Sequence, residues 1–596
     1  MKRKRKSVVA KSVSVAALAG VAALAFPGVS SAQVSWDRLL NPEPENWLLY
    51  GGNLGGWRYS ALDQINRDNA GDLEVKYIFT LLGESNTSEL GDSEESVILA
   101  DNGTLYTADG LNRAYAFDVS SGNAAVPLWM YDPVITKSRT ERGLALFDDG
   151  VFINTNDTRL IRLNADTGEV VWETVATAQP VDPYGTPSPD TQGFTTEPIV
   201  VHTAAGNNMV IQGESTGGQQ GTISYVVAAN ADTGELTWRW YSIPFPGEPG
   251  HETWEDDWDA WKTGGGGVWS HATFDPNTNL IFHGTGDAFP TFDPAFRPGD
   301  NLFTASTIAL DADTGDLVWY FQVVPNESWD FDQPGTRMLY PDQSGNLVAG
   351  MFSRAGFYYV HDAATGAIEN VFGFTDVTWT AGVDDKTGLP IDYDPTTNRQ
   401  HYAGVTVERG ETTGEVCPNP FQTGVALDPP AFDPNTRIAY LQFTEGCLGE
   451  IALNTWPNED EARAEQGLNR IGNPAGAGIG IDAPANPAVY TIAAYNVDTG
   501  ERVAEFKDPE EVNQGTTGTL ATAGGLIIAG THTGDVQVFD SSNMELLWTF
   551  NVGAELNAPF STWSVDGNQY FGVIAGGNGN GLQQQTAIGV VFGLRD

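Results

Sequence analysis

Cysteine, histidine and positive charge are all scarce in this chain. Its 596 residues hold two cysteines, seven histidines, and 30 lysines and arginines against 77 aspartates and glutamates. No Cys-x-x-Cys-His occurs, which excludes covalently attached c-type haem. The histidines are scattered, and no Ser/His/Asp or Cys/His set is legible, so nucleophilic hydrolysis has no visible machinery; His251 and His271 read as loop or strand residues rather than metal ligands. The strong negative charge repels nucleic acid and anionic lipid and reads as a solvating surface suited to saline surroundings. Only one apolar run stands out, Val15 to Phe26, and it is too short to span a membrane comfortably; no later stretch qualifies as a transmembrane helix.

That run belongs to a leader. Lys2-Arg3-Lys4-Arg5-Lys6 precedes it and Ser30-Ser31-Ala32 follows, the order of a signal peptide, with cleavage expected after Ala32. Residues 33–596 are then expected to form one domain outside the cytoplasm, periplasmic or secreted. Losing Lys2, Arg3, Lys4, Arg5, Lys6 and Lys11 leaves 24 basic against 77 acidic residues, a net charge of −53. In an exported protein, Cys417 and Cys447 are expected to pair as a disulfide.

What the chain has in plenty is glycine, 68 residues, and tryptophan, 17. Many of them fall in a phrase that occurs seven times: an acidic residue or Asn leads into a Gly- or Asn-centred turn, most often followed by Trp. The clearest copies are Asn164-Ala165-Asp166-Thr167-Gly168 with Trp172, Asn230-Ala231-Asp232-Thr233-Gly234 with Trp238, and Asp311-Ala312-Asp313-Thr314-Gly315 with Trp319. Weaker ones begin at Asp118, Asp362, Asn496 and Asp540, the last centred on Asn543. Runs such as Tyr225-Val226-Val227-Ala228-Ala229 and Leu236-Thr237-Trp238-Arg239-Trp240 flank them, which spells strand, turn, strand. Hairpins recurring in this way predict an all-β propeller, each copy forming one blade's outer hairpin and each Trp packing between blades. Asp275-Pro276-Asn277-Thr278-Asn279 and Asp433-Pro434-Asn435-Thr436-Arg437 are two further matching turns, and the gap between Gly366 and Thr499 has room for a blade around the second. Eight blades are expected, closed by the first strand group, Trp47 to Phe79, joining the last hairpin.

Three stretches carry a family resemblance: Trp261-Lys262-Thr263-Gly264-Gly265-Gly266-Gly267-Val268-Trp269, Gly284-Thr285-Gly286-Asp287 and Trp329-Asp330-Phe331-Asp332. Arg297-Pro298-Gly299-Asp300-Asn301-Leu302 lies between them in order, and Trp47 to Tyr59 looks like the same family's opening segment. Together they resemble the quinoprotein alcohol dehydrogenases, eight-bladed propellers that bind pyrroloquinoline quinone (PQQ) and a metal on the propeller axis. PQQ is a planar tricarboxylate ortho-quinone, so it needs a flat partner for its face and cations for its carboxylates. The resemblance implies that Trp269 stacks on the ring, that Arg142 grips a carboxylate, and that Arg354 lies near the reactive oxygens, where it can stabilise negative charge. Glu95, Thr155, Thr216, Gly217 and Gly218 fall at further cofactor-lining positions. The metal, Ca²⁺ or a lanthanide ion, would sit among Gln219, Asp287, Asp330 and Asp332.

The chain departs from the family at that metal. Gln219 stands where the family has Glu, and Asp287 where it has Asn, so the charge of the set stays at −3 although one carboxylate has moved. An adjacent cysteine pair aligns with Thr136-Lys137, an Asn-Trp near Ala426-Leu427, and two further Trp positions with Thr516 and Asn580. The resemblance implies a periplasmic oxidoreductase that oxidises a small alcohol by hydride transfer to metal-bound PQQ. Asp330 would act as general base, and the electrons would pass to an external cytochrome c or similar carrier. The departures leave open a second reading, a propeller without the quinone that serves as a binding or assembly scaffold.

Overall fold

Each well-formed copy of the repeated phrase closes its hairpin through one small network. The Asn164 side-chain carbonyl accepts the amides of Asp166 and Thr167 at 3.1 and 3.0 Å and the Thr167 hydroxyl at 3.1 Å. Its backbone carbonyl accepts the Gly168 amide at 2.8 Å, and Gly168 adopts φ +70°. Asn230 and Asp311 repeat this bonding, with Gly234 and Gly315 left-handed in turn. The phrase therefore specifies an Asx-capped turn that ends on a residue able to take positive φ.

The computed structural model describes residues 33–82, 94–135, 140–177, 192–215, 221–256, 258–420, 429–455, 479–481, 488–509, 517–577 and 585–595. The expected leader, Thr136, Lys137, Thr216, Gly217, Gly218, Gln219, Ala426, Leu427, Thr516 and Asn580 lie outside them. Eight antiparallel sheets form the blades of the propeller, and each of the seven phrases joins the third to the fourth strand of its own blade. The eighth blade closes the ring: Ser561–Val565, Asn568–Gly577 and Gln585–Leu594 take Leu73–Thr80 as their outermost strand. This is the expected pairing of the first strand group with the last hairpin, and it leaves the ring without a seam. The group is divided, however, since Tyr59–Ser60 adds instead as a parallel fifth strand on Leu520–Thr522 of the preceding blade.

Two expectations need correction. The turns at Asp275 and Asp433 are not copies of the blade phrase; they join the first and second strands of blades whose outer hairpins carry Asp311 and Asn496. The stretch between Gly366 and Thr499 thus supplies the first three strands of one blade, the one whose outer hairpin turns at Asn496. In the Asp540 copy the left-handed residue is Met544 at φ +60°, not Asn543, because the Met544 amide makes the closing bond to the Asp540 carbonyl.

Over one part of the ring lies a cap built from the segment 374–420 and an insertion in the Asn496 blade. Trp379, Tyr402, Val405, Val416, Leu448 and Ile451 from these parts pack in one apolar cluster with Trp329 and Phe331. Cys417 and Cys447 are disulfide-bonded, which ties the segment to the insertion. Arg409 adds an ion pair to the buried carboxylate of Asp293, 2.8 Å away.

Between blades the contact is a tryptophan laid on the next blade's turn. Trp129, Trp172, Trp238 and Trp319 donate their indole N–H groups to the carbonyls of Ala165, Ala231, Ala312 and Ala363 at 2.8, 2.9, 3.0 and 3.0 Å. The rings lie so close to Gly168, Gly234, Gly315 and Gly366 that a methyl group on any of these would overlap them. A Cβ at Gly315 would come within 2.5 Å of Trp238 Cε3, and the residue sits at φ +74°. Gly315→Ala is therefore expected to cost about 2 to 4 kcal/mol, from left-handed strain and overpacking together. A thermal melt that matches the unsubstituted protein would show that the docking contact does not limit stability.

Candidate active site

Trp329-Asp330-Phe331-Asp332 alternates aromatic and acidic residues, and the alternation sorts them to opposite sides. Trp329 and Phe331 are fully buried beside Trp379, with ring centroids 5.8 and 5.7 Å away, and the Trp329 indole donates to the Val405 carbonyl at 2.9 Å. Asp330 and Asp332 turn the other way and meet Asp287, which follows the strand Leu280–Gly284. One carboxylate oxygen from each of the three lies within 4.8 Å of the others, and all three residues are buried. The Asp287 amide donates to Asp332 Oδ1 at 2.5 Å, and the Thr291 hydroxyl donates to Asp287. Gly286 permits this approach, because a Cβ there would sit 2.7 Å from Asp332 Oδ1.

Three like charges out of water cannot all be comfortable. Burial pushes Asp287 and Asp330 well above the usual carboxylate range, and the charge of Asp332 pushes both further. Asp332 is raised by burial as well, against the pull of Arg354. Arg354 Nη1 stands 3.3 Å from Asp332 Oδ2 and 3.6 Å from Asp330 Oδ1, and it donates to the Asp330 carbonyl at 3.1 Å. One guanidinium thus faces more acid than it can balance. Asp330 Oδ1 is buried without a hydrogen-bond donor. A buried oxygen set of net charge −3 with an unused acceptor fits a hard multivalent cation.

The flat element is next to it. The Trp269 side chain favours the charged form of Asp332, and the guanidinium carbons of Arg142 and Arg354 lie 5.6 and 5.4 Å from the Trp269 ring centroid. Arg142 is held by Glu95, Nε to Oε2 2.8 Å, and by the Thr195 hydroxyl at 2.8 Å. A half-buried indole attended by two cations, beside a carboxylate cage, fits a planar polyanion that shares a cation with the cage.

The structure thus gathers Glu95, Arg142, Trp269, Asp287, Asp330, Asp332 and Arg354. Thr155 is buried, but its hydroxyl is engaged in its own turn, donating to Asp157 and accepting the Arg159 amide at 3.0 Å. Thr216, Gly217, Gly218 and Gln219 fall outside the described residues. Sequence reasoning missed Thr195 and Thr291, hydroxyls that carry no signal of their own. It also gave no role to Glu327 and Arg297, although Arg297 opens one of the stretches that bear the resemblance.

Comparison with known proteins identifies the family. Residues 47–378 match the family model for the glucose/ethanol/alcohol dehydrogenase β-propeller domain. Quinohemoprotein alcohol dehydrogenase ADH IIB of Pseudomonas putida is 32% identical over 558 residues, 89% of this chain and 74% of that protein. A quinoprotein ethanol dehydrogenase of the same species is 28% identical over 614 residues, 95% of this chain and 92% of that protein. The solved quinohemoprotein alcohol dehydrogenase ADHIIG of Pseudomonas putida HK5 superposes with a TM-score of 0.80 at 26% identity, over 95% of this chain and 83% of its own. The fold is that of a quinone-dependent oxidoreductase, and the chain belongs to the PQQ-dependent alcohol dehydrogenase family.

The charge crowding at Asp287, Asp330 and Asp332 has a measurable cost. Asp330→Asn removes one charge at nearly constant volume, so cation-free protein should gain roughly 1 to 2 kcal/mol, as substitutions that relieve a functional site commonly do. Calorimetry after exhaustive chelation checks this, and an unchanged or lowered melting midpoint contradicts the crowding.

Proposed function

We propose that this chain is an exported alcohol dehydrogenase that carries PQQ against Trp269 and a cation among Asp287, Asp330 and Asp332. One observation carries the reading: three buried carboxylates beside an indole flanked by two guanidinium groups. When bound, PQQ supplies a two-electron acceptor and the cation a Lewis acid. The chain's own residues do the rest. Arg142, fixed by Glu95 and Thr195, is placed to hold a carboxylate of the quinone. Asp330, whose unshared Oδ1 has no donor of its own, is placed to take the proton from the substrate hydroxyl. Arg354 stabilises negative charge near the same atoms. The cap of Trp379, Tyr402 and the disulfide-linked loops shields one side of this chemistry from water.

The electrons need an external acceptor, a cytochrome c or similar carrier, because the chain has no haem-attachment motif. The basic, apolar leader supports a periplasmic setting. Three carboxylates and one guanidinium leave a net charge of −2, which either Ca²⁺ or a lanthanide ion can offset, so the charge count suits both cation classes.

Purified protein incubated with PQQ and either Ca²⁺ or a light lanthanide should show a stoichiometric bound-quinone absorbance band and reduce a dye when alcohol is added. Asp330→Ala should abolish the dye reduction with the propeller's circular dichroism intact. A folded protein that binds no quinone with any cation would sink the enzyme reading in favour of the scaffold. A second prediction concerns the displaced carboxylate. Asp287→Asn lowers the charge of the set to −2 and should weaken cation binding at least about tenfold, most for trivalent ions, because hard-cation affinity follows ligand charge. Gln219→Glu in that background should recover much of the loss, a large interaction term in a double-mutant cycle read by cation titration. Additive effects would separate the two positions.

A further inference from the structure

The peptide around Asp330 does not reach its position unaided. Asp330 takes φ +75°, a left-handed backbone that non-glycine residues rarely adopt. That conformation turns three successive amides, those of Trp329, Asp330 and Phe331, toward one point, and the Glu327 carboxylate occupies it. Trp329 N–H donates to Glu327 Oε2 at 2.8 Å, Asp330 N–H to Oε1 and Oε2 at 3.0 and 3.1 Å, and Phe331 N–H to Oε2 at 3.4 Å. Glu327 is itself fully enclosed, 1% exposed, and the charge of Arg297 together with these amides makes its burial tolerable.

Arg297 fixes the other end. Fully buried, it donates to the backbone carbonyls of Glu327 at 2.6 Å, Thr291 at 2.7 Å and Pro290 at 3.0 Å, and to Asn301 Oδ1 at 2.9 Å. Thr291 is the residue whose hydroxyl holds Asp287. A single guanidinium therefore ties the segment that carries Asp287 to the loop that carries Asp330 and Asp332. We infer that Glu327 is a positioning residue: by collecting the amides of Trp329, Asp330 and Phe331, and clamped to the Asp287 segment through Arg297, it holds Asp330 left-handed so that its carboxylate completes the cation site. Glu327 lies outside the carboxylate group of Asp287, Asp330 and Asp332, and both of its oxygens accept backbone amides. Its functional consequence rests on the reading of the site as a cation site, whereas the loop-holding itself does not.

The experiment keeps the two apart. In full-length, cation-free Glu327→Leu, hydrogen–deuterium exchange resolved at single amides should speed at residues 329, 330 and 331 by about a hundredfold or more, with the blades' amides unchanged. Retained protection at all three overturns the inference. Glu327→Gln is the companion variant: it can keep an oxygen at the Oε2 place but sets an N–H₂ group against the Asp330 amide. Exchange should then rise more at Asp330 than at Trp329; no change at Asp330 counts against the inference, and this arm decides it if Glu327→Leu does not fold. The second readout is Tb³⁺ alone, followed by tryptophan-sensitised luminescence. Glu327→Leu should weaken Tb³⁺ at least about tenfold in the wild-type background and less than about twofold when Asp330 is already Ala, because the effect is routed through Asp330. Equal losses in both backgrounds overturn that route. Failure of the wild type to bind Tb³⁺ would instead tell against the cation site, while the amide exchange would still decide whether Glu327 holds the loop.

Discussion

At four places around this propeller, blade is held to blade by an indole ring lying against a residue that has no side chain. A blade is a small, strongly twisted sheet with little core of its own, and it becomes stable only against its neighbours. Here the neighbour is engaged by an indole that stacks on a left-handed glycine and hydrogen-bonds the carbonyl three residues before it. The contact joins three requirements: the Asx side chain makes the turn, positive φ exposes its carbonyl, and the missing Cβ admits the ring. Losing any of the three loosens two blades at once. Because the eighth blade is stitched from both ends of the described chain, the ring has no free edge at which such loosening could be absorbed.

That rigidity is what the carboxylate cluster requires. Asp287, Asp330 and Asp332 repel one another in a buried place, and a soft scaffold would relax by swinging one of them into water. Here each is prevented. Asp332 accepts the Asp287 amide, Asp287 accepts Thr291, and the Trp329 and Phe331 side chains anchor the Asp330 backbone in the cap's apolar cluster. The aromatic half of Trp329-Asp330-Phe331-Asp332 thus holds the acidic half in place.

Much of this was legible in the chain because turn chemistry is local. Asn or Asp, Thr and Gly at fixed offsets announce their hairpin, and eight blades follow from counting hairpins and closing the ring. The same phrase misled where only part of it was present. Asp275 and Asp433 cap turns too, but inner ones, with no following tryptophan to dock. Met544 was unreadable for the opposite reason: it occupies the glycine place of its turn, and it packs in a cluster with Phe539 and Phe506 that holds no tryptophan. At the site, Trp269, Arg142, Arg354 and the aspartates were found through a family pattern. Glu327, Arg297 and Thr195 act through backbone carbonyls and amides, and such contacts leave almost no mark on residue spacing.

The displaced carboxylate then has a physical explanation in the surroundings of Asp287 rather than in its identity alone. A cation responds to the total charge and to the number of oxygens around it more than to which strand supplies them. Moving a charge is tolerable only if the new carboxylate is desolvated, oriented and kept from collapsing onto a neighbour. Asp287 meets all three conditions: it is buried, Thr291 orients one oxygen, and its own amide engages Asp332. The segment bearing it is tied by Arg297 to the loop bearing Asp330. A position already braced on both sides can accept a carboxylate where an amide would also serve, and under the proposed function that bracing is what would let the residues around a cation vary.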